Sequence, residues 1–324
     1  MLKKSSLESQ KNHEDLLRIV IGSGALGLFI AYRTLIEFPN TNLYVLTKTI
    51  PEKDIYIETP NNGLKKFNFN NFFFIDNEKT SCPPVNNRNI FFYICLPPEQ
   101  IIHLPNYLNL VLKNCNIACN YSVIFLNNGI INYKEFINSL YLKNCLIIRC
   151  IVISGFMRTF TEKNIIIKNT SGNTIYYGYY NKLNTIKKYL FPKRHLNWIY
   201  NDNIFKLEKA KFITNFILGL FIGNKLLKNR EILTILNSDQ LDDIFTNYCI
   251  IFSDNQISKK YLHFYFNKTI ASTGENINSI SYAWYHGNKK PFEYFLAKIK
   301  ELSYLSGNIK VQDFFSKLIN LNIK

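Results

Sequence analysis

The first chemistry that the sequence suggests is the binding of phosphate groups. Three glycines follow the order G-x-G-x-x-G in the segment IVIGSGALGLFI. The motif consists of Gly22, Ser23, Gly24, Ala25, Leu26 and Gly27. In such a motif the first glycine permits a tight turn, the second lets the backbone approach a pyrophosphate, and the third lets a helix lie close to a strand. The same spacing also occurs where glycines serve only packing, so the flanking segments decide between the two.

The segments around the glycines favour the phosphate-binding interpretation. Residues 17–21 (LRIVI) form an apolar run typical of a buried parallel strand, and residues 43–46 (LYVL) form another. Between them, apolar residues recur at helical spacing as far as Pro39. Strand, glycine turn, helix and strand make a βαβ unit, and the N-terminus of its helix offers free N–H groups and a positive dipole end to phosphates.

The end of the second strand indicates which dinucleotide binds. Sites for NAD usually have Asp or Glu there, because a carboxylate binds the ribose 2′-hydroxyl. Here the strand is followed by Thr47 and Lys48, whose hydroxyl and ammonium groups suit a 2′-phosphate. The sequence therefore predicts an NADP(H) site with Lys48 as a phosphate ligand. A solvated lysine beside a strand end is the alternative.

The remaining pattern predicts an α/β fold, with an N-terminal Rossmann-type dinucleotide-binding domain followed by an all-α C-terminal domain. Further elements are expected as strands at 66–75, 90–96, 122–126 and 146–154, helices at 99–113 and 133–142, and a hairpin at 164–179 that turns at Ser171-Gly172-Asn173. From about residue 203 the strand signals largely vanish and helical patterns continue. The predicted bounds are 1–16 for a polar extension, 17–202 for the NADP-binding domain and 203–324 for a helical substrate and catalytic domain.

The amino-acid composition limits the partners that we expect for this protein. The net charge of +16 first suggests nucleic acid, but the lysines are spread along the chain, and the abundant residue types share A/T-rich codons. We therefore expect no nucleic-acid partner. No apolar run reaches membrane-spanning length, and the N-terminus does not resemble a signal peptide, so we expect a cytoplasmic protein without a membrane partner. Seven scattered cysteines indicate reduced thiols, and we expect no metal site.

Four segments follow the order and spacing found in one enzyme family. They are IGSGALG at 21–27, LNNG at 126–129, KFITN at 211–215 and GENINS at 274–279. In these segments the sequence resembles the ketopantoate reductases, the 2-dehydropantoate 2-reductases of pantothenate synthesis, over roughly residues 17–315. The glycine motif is shared by many dehydrogenases. The helical K-x-x-x-N, followed by E-N-x-x-S, is much more specific.

The resemblance implies an activity and a set of site residues. The activity is NADPH-dependent reduction of 2-dehydropantoate, a small 2-keto acid, to (R)-pantoate in a cleft between the two domains. It implies that Lys211 is catalytic, that Asn128 lies near the nicotinamide and the substrate, and that Asn215 and Ser279 bind the substrate. Lys48 stands where such reductases usually have an arginine. The oligomeric state is left open between monomer and homodimer.

The chemistry of these residue types agrees with the implied roles. Hydride arriving at a keto carbon leaves an alkoxide that needs a proton, and a lysine whose pKa is lowered by desolvation is a competent general acid. Lys211 and Asn215 are four residues apart and share one face of a helix. Asn and Ser supply donors for a carboxylate. An exposed helix face for the first two residues, and a capping or back-bonding role for Ser279, are the alternatives.

The sequence also departs from the family pattern. The departures fall at Pro97, Gly219, Ala283 and Pro291. Lysine, asparagine, aspartate and the catalytic glutamate, respectively, are usual at these places in the family. The carboxylate nearest to the last position is Glu293, which is a candidate catalytic residue if the loop register shifts and a solvated helix residue otherwise. Two alternatives remain open beside this departure pattern, a reductase of another 2-keto acid and a nucleotide-binding relative that has lost catalysis. The net charge of +16 leaves a third alternative, a basic nucleic-acid binder.

Overall fold

The computed structural model describes residues 16–59, 63–74, 89–113, 120–141, 145–181, 191–192, 196–252 and 257–323. Contacts between Cα atoms divide the chain into two compact units. The first takes Met1–Asn127 and Ile131–Ile204, and the second takes Asn128–Ile130 and Phe205–Lys324. The predicted polar extension lies outside the described residues except for Leu16. The assignment of the two units to cofactor and substrate stays a prediction.

The described part of the first unit is built on one sheet of ten strands. The strands are β1 Leu16–Ile21, β2 Asn42–Thr47, β3 Asp54–Thr59, β4 Gly63–Lys66, β5 Phe72–Phe74, β6 Asn89–Ile94, β7 Asn120–Phe125, β8 Cys145–Phe160, β9 Asn164–Tyr179 and β10 Asn197–Tyr200. Their order is β4-β3-β9-β8-β7-β6-β1-β2-β5, and β10 pairs with β9. Strands β2, β1, β6, β7 and β8 run parallel to their neighbours in this series.

Helices of the first unit connect these parallel strands. They are α1 Ala25–Glu37, a 3₁₀ helix Pro98–His103, α2 Leu104–Lys113 and α3 Tyr133–Asn138. Strand β1 is buried along its whole length, as expected for a parallel strand covered on both faces. The βαβ unit predicted around the glycine motif is therefore confirmed. The fold class, a Rossmann-type unit followed by helices, is confirmed as well.

The prediction of a hairpin within 164–179 is wrong. This segment is a single strand of 16 residues, β9, and its antiparallel partner is β8. The reversal of the chain lies at residues 161–163, between the two strands. Gly172 has φ +64°, and a Cβ there would lie 2.5 Å from the carbonyl oxygen of Ile153. The pairing shifts register beside Gly155 opposite this point, so the Ser-Gly-Asn signal marks an irregularity of the ladder rather than a turn.

The segment predicted as one strand at 66–75 is split. Strand β4 ends at Lys66 and β5 covers only Phe72–Phe74, while Ile75 lies outside the described residues. Between the two strands, the rings of Phe67 and Phe69 stack with centroids 5.2 Å apart. Aromatic packing rather than strand pairing thus accounts for the alternation in the sequence. Strands β3 and β10 were not predicted.

The second unit is helical in its described residues, as predicted from about residue 203. Its helices are α4 Ile204–Ile222, a 3₁₀ turn Asn229–Glu231, α5 Ile232–Ile235, α6 Ser238–Ile251, α7 Lys259–Thr273, α8 Ser279–Tyr285, α9 Lys290–Leu305 and α10 Ile309–Asn322. The first helix is buried over most of its surface, and its Phe212 stacks on Phe295 of α9 at 5.0 Å. Four of the following helices begin with a side-chain cap, at Asn237, Ser258, Asn278 and Asn308.

Further features bear on the predicted partners. None of the described helices is long and apolar enough to cross a bilayer. The described residues contain no cluster of His, Cys, Asp and Glu suited to a metal ion. Cys95, Cys145, Cys150 and Cys249 are free thiols. Burial raises the pKa of Cys145 to about 11 and that of Cys95 and Cys150 further, so these thiols stay protonated at neutral pH and are poor nucleophiles.

Candidate cofactor and substrate sites

Two glycines of the motif are required by packing. Gly22 follows β1 with φ +106°, and its N–H donates to the carbonyl oxygen of Leu46 at 2.9 Å. A Cβ on Gly22 would lie 3.0 Å from the carbonyl oxygen of Cys95. A Cβ on Gly27 would lie only 1.9 Å from the carbonyl oxygen of Gly22. Glycine at these two positions lets the strand, the turn and the helix pack closely against one another, whether or not the motif also binds a phosphate.

Gly24 has no such requirement. It is the N-cap of α1 with φ −68° and ψ −179°, an extended conformation open to other residues, and a Cβ there would meet no atom within 4 Å. Ser23, Ala25 and Leu26 around it are half-buried. No side chain caps α1, and its first turn has no acidic residue, so no side chain of that turn competes with an anion for the N–H groups at this end of the helix. Packing does not explain this glycine, whereas the close approach of a pyrophosphate does, so the turn fits a dinucleotide.

A hydrogen bond between two hydroxyl groups connects the end of β2 to the glycine turn. The hydroxyls of Ser23 and Thr47 lie 2.6 Å apart, and the Thr47 hydroxyl donates to the carbonyl oxygen of Thr49 at 2.9 Å. Thr47 is buried by these contacts, while Lys48 is exposed. The hydroxyl that the sequence assigned to a phosphate therefore has a structural role, and Lys48 is the group left to meet a 2′-phosphate.

Sequence reasoning missed two arginines of the first unit. Arg149 of β8 is 1% exposed, and its Nη1 donates to the carbonyl oxygen of Asn127 at 2.8 Å, which holds the chain directly before Asn128. Arg158, near the end of β8, donates from Nη1 to the carbonyl oxygen of Ser23 at 3.1 Å. The sequence signal for Arg158 was a cation between two phenylalanines at strand spacing, in the order Phe156, Arg158, Phe160. It was overlooked because the predicted hairpin at 164–179 left residues 155–160 outside any predicted strand.

In the second unit, α9 holds the segment that contains Asn128. Gly129 has φ +100°, and a Cβ there would lie 2.5 Å from the hydroxyl oxygen of Tyr294. The Tyr294 hydroxyl donates to the carbonyl oxygen of Ile130 at 3.2 Å. Asn128 itself is half-buried. Tyr294 and the glycine conformation together fix the backbone on which Asn128 is carried.

Lys211 and Asn215 are distinctive on α4. Both are half-buried, whereas every other residue from Ala210 to Leu220 is buried. The two side chains lie on one face of the helix, four residues apart. Within residues 210–220 of this helix, the lysine and the asparagine are thus the two side chains that stay partly open to solvent. This placement is what a proton donor with a neighbouring hydrogen-bonding group requires.

The departure at Gly219 has a packing cause. A Cβ on Gly219 would lie 3.2 Å from Cγ2 of Ile280 in α8 and 3.4 Å from Cδ2 of Phe292 in α9. A Cβ at this position would need a small shift of the Ile280 side chain, so glycine is the residue that fits without adjustment. The glycine here thus goes with close packing against the side chains of α8 and α9.

The segment before α8 is held by charge and by capping. Glu275 forms ion pairs with Lys228, at 2.6 Å, and with Arg230. The hydrogen bond from Lys228 is the main cause that lowers the pKa of Glu275, and the nearby Arg230 adds to it. Asn278 caps α8 by accepting from the N–H of Ile280 at 2.8 Å. Ser279 is exposed at the first position of the helix, so the capping role considered for Ser279 belongs to Asn278.

The start of α9 places Pro291 and Glu293 differently. Tyr294 faces residues 128–130, and Pro291, three residues earlier, shares its face of the helix. Glu293 is exposed and is rotated by about 100° from Tyr294 along the helix. Pro291 is half-buried within the first turn, where proline is well tolerated. Of the remaining departures, Pro97 is exposed before the 3₁₀ helix and Ala283 is half-buried in α8.

This placement leads to a prediction for Glu293. We expect Glu293→Gln to leave kcat and the melting temperature unchanged within experimental error, because an exposed side chain turned away from the Tyr294 face has no reacting group to serve. Steady-state kinetics and a thermal melt would check this. A loss of kcat of about 10²-fold or more, the size typical for an acid–base group, would instead support the catalytic role suggested by the sequence.

The architecture now described, a Rossmann-type unit followed by an all-helical unit, is the fold of the ketopantoate reductases. A 2-dehydropantoate 2-reductase from Methylococcus capsulatus is 16% identical, with a TM-score of 0.68 over 94% of this chain and 96% of that chain. A dimeric ketopantoate reductase from Staphylococcus aureus is 12% identical, with a TM-score of 0.64 over 95% of this chain and all of that one. The predicted resemblance is thus confirmed in the fold.

A further solved structure of the same fold is named for a different activity. A D-mandelate dehydrogenase, determined with NADH and anilino(oxo)acetate, is 11% identical, with a TM-score of 0.64 over 94% of this chain and 98% of that chain. No protein-family model matches the sequence. No curated protein matches it either.

Proposed function

We propose that this protein is an NADPH-dependent reductase that converts 2-dehydropantoate to (R)-pantoate in pantothenate biosynthesis. The observation that carries the proposal is the half-buried pair of Lys211 and Asn215 within the otherwise buried residues 210–220 of α4. The open glycine turn in the first unit supports it, as does a fold shared with proteins named as reductases of this acid. We further propose a cytoplasmic location, a monomeric or homodimeric state and no nucleic-acid partner.

The chain's own residues divide the chemical work as follows. The glycine turn and Lys48 would hold the cofactor, whose nicotinamide would supply the hydride for the keto carbon of the substrate. The Lys211 ammonium donates a proton to the oxygen of that carbon, so the ketone becomes an alcohol and the lysine becomes neutral until solvent reprotonates it. Asn128, Asn215 and Ser279 offer hydrogen bonds that orient the carboxylate and hydroxyl groups of the substrate. Lys211 thus acts chemically, and the three polar residues act by binding.

One specific observation favours a second candidate. Gly219, which packs against Ile280 and Phe292, and Pro291, in the first turn of α9, stand where the family usually has polar residues, and a fold neighbour is named a mandelate dehydrogenase. A reductase of another 2-keto acid is therefore the alternative, with the same proton donor but fewer polar contacts to the substrate. Turnover compared across 2-dehydropantoate, pyruvate, 2-ketoisovalerate and phenylglyoxylate separates the two. The highest kcat/KM for 2-dehydropantoate supports our proposal, and a higher value for another acid supports the alternative.

The proposed cofactor preference depends on Lys48. We expect NADPH to bind more tightly than NADH by about tenfold to a hundredfold, the worth of one charge-assisted contact. Lys48→Asp is expected to abolish that preference, because a carboxylate repels the 2′-phosphate and accepts from the ribose hydroxyls of NADH. Titration of cofactor fluorescence measures both affinities, and NADH serves as the internal control. Equal affinities of the unmodified protein for the two cofactors would contradict the assignment.

A further inference from the structure

The second half of the long strand β8 lies beside the glycine turn. Strand β8 pairs with β7 only over residues 145–149, and beyond that point its described strand partner is β9, which pairs on its other edge with β3 and β10. The ring of Phe156 in this half of β8 packs against Phe29 of α1, with centroids 4.8 Å apart. Residues 156–160 pair regularly with β9. Because side chains alternate along a strand, Phe156, Arg158 and Phe160 lie on one face.

Arg158 is held at the turn by this arrangement. Its Nη1 lies 3.1 Å from the carbonyl oxygen of Ser23, the residue between the first two glycines of the motif. Its guanidinium also lies over the ring of Phe160, 4.9 Å from the ring centroid. Among the described residues, no carboxylate forms an ion pair with Arg158. A fixed cation whose protein partners are a neutral carbonyl and a ring therefore stands beside the open space over Gly24.

The guanidinium has the chemistry that a phosphate needs. Arginine carries five N–H donors in a planar fork that matches the oxygens of a phosphate group. The bond to Ser23 uses part of this capacity, and the side chain is exposed on its remaining side. The ordering of the side chain by Ser23 and Phe160 occurs before any ligand arrives, which lowers the entropic cost of binding.

We propose that Arg158 binds the pyrophosphate of the dinucleotide and thus is a second phosphate ligand, separate from Lys48. This inference rests on the proposed NADP(H)-dependent function. We assign Arg158 to the pyrophosphate rather than to the 2′-phosphate. Its guanidinium donates to the carbonyl oxygen of Ser23, directly before Gly24, and Gly24 is the glycine over which the pyrophosphate has room. Lys48 then distinguishes NADPH from NADH, and Arg158 serves both cofactors equally.

The test measures binding rather than turnover. Dissociation constants of NADPH, NADH and ADP are determined for the unmodified protein, Arg158→Gln and Arg158→Lys at several salt concentrations. Lys163→Gln, which removes an exposed charge from the turn between β8 and β9, is the control for net charge. Circular dichroism and thermal melts establish that each variant folds.

We expect Arg158→Gln to weaken NADPH, NADH and ADP alike by about tenfold to a hundredfold, with Arg158→Lys in between and Lys163→Gln unchanged. The salt dependence of binding should also fall in Arg158→Gln, which a purely structural role would not produce. Unchanged constants in Arg158→Gln, or a loss confined to NADPH, would overturn this inference and leave the proposed function intact. An unmodified protein that binds neither NADPH nor NADH would overturn both.

Discussion

Lys211→Ala should lower kcat by about 10²- to 10⁴-fold, the range typical for loss of a general acid. The alkoxide that forms at the substrate would then have to take its proton from water. Binding of NADPH should be almost unchanged, because the phosphate-binding turn lies in the other unit of the chain. Kinetics with saturating NADPH and 2-dehydropantoate measure the loss, and titration of cofactor fluorescence measures the binding.

The control for this experiment lies on the same helix. Lys206 is also half-buried on α4, but its ammonium lies over the ring of Tyr261 at 4.4 Å. Lys206→Ala removes the same charge from the same helix and should leave kcat almost unchanged. If Lys211→Ala turns over as fast as the unmodified protein, Lys211 is not the proton donor, and the proposed chemistry fails whatever the fold.

Gly24→Val should abolish measurable NADPH binding while the protein stays folded. The extended conformation at Gly24 accepts valine, and the space over it is free of protein atoms, so stability has little to lose. The branched side chain would fill the space into which the pyrophosphate must fit. Calorimetric titration with NADPH and a thermal melt measure the two effects separately.

Gly27→Ala is the matched contrast within the same motif. Its Cβ would lie 1.9 Å from the carbonyl oxygen of Gly22, so we expect a large fall in the melting temperature. The two variants thus separate ligand binding from packing. Normal NADPH binding by Gly24→Val would mean that the whole motif serves packing, and the assignment of the pyrophosphate to this turn would be wrong.

The local elements could be predicted because their signals are local. Apolar strands, the glycine turn and the helical spacing after it lie within one short segment, and each depends on neighbours along the chain. The change to helices in the second unit was visible for the same reason. The hairpin prediction failed because glycine at 172 looks the same in a turn and in a bulge. The pairing of β9 with β8 on both sides of Gly172, with its register shift beside Gly155, distinguishes the two.

The candidate sites depend on contacts between distant segments, and sequence reasoning missed those. Arg158 reaches Ser23 across 135 residues, and Tyr294 reaches Ile130 across 164. The different reasons for glycine at 24 and 27 are likewise invisible until the atoms around them are placed. The sequence resemblance implied roles for Lys211, Asn215 and Asn128. The structure adds that Lys211 and Asn215 are half-buried, and that the Tyr294 hydroxyl holds the segment that contains Asn128.

The most direct measurement of the central proposal is the oxidation of NADPH by the unmodified protein in the presence of 2-dehydropantoate, followed by the absorbance of the reduced nicotinamide. We expect oxidation that requires both the keto acid and the protein, with one pantoate formed for each NADPH consumed, and a rate that Lys211→Ala removes. Saturable binding of NADPH without turnover of 2-dehydropantoate or any other 2-keto acid would contradict the proposal.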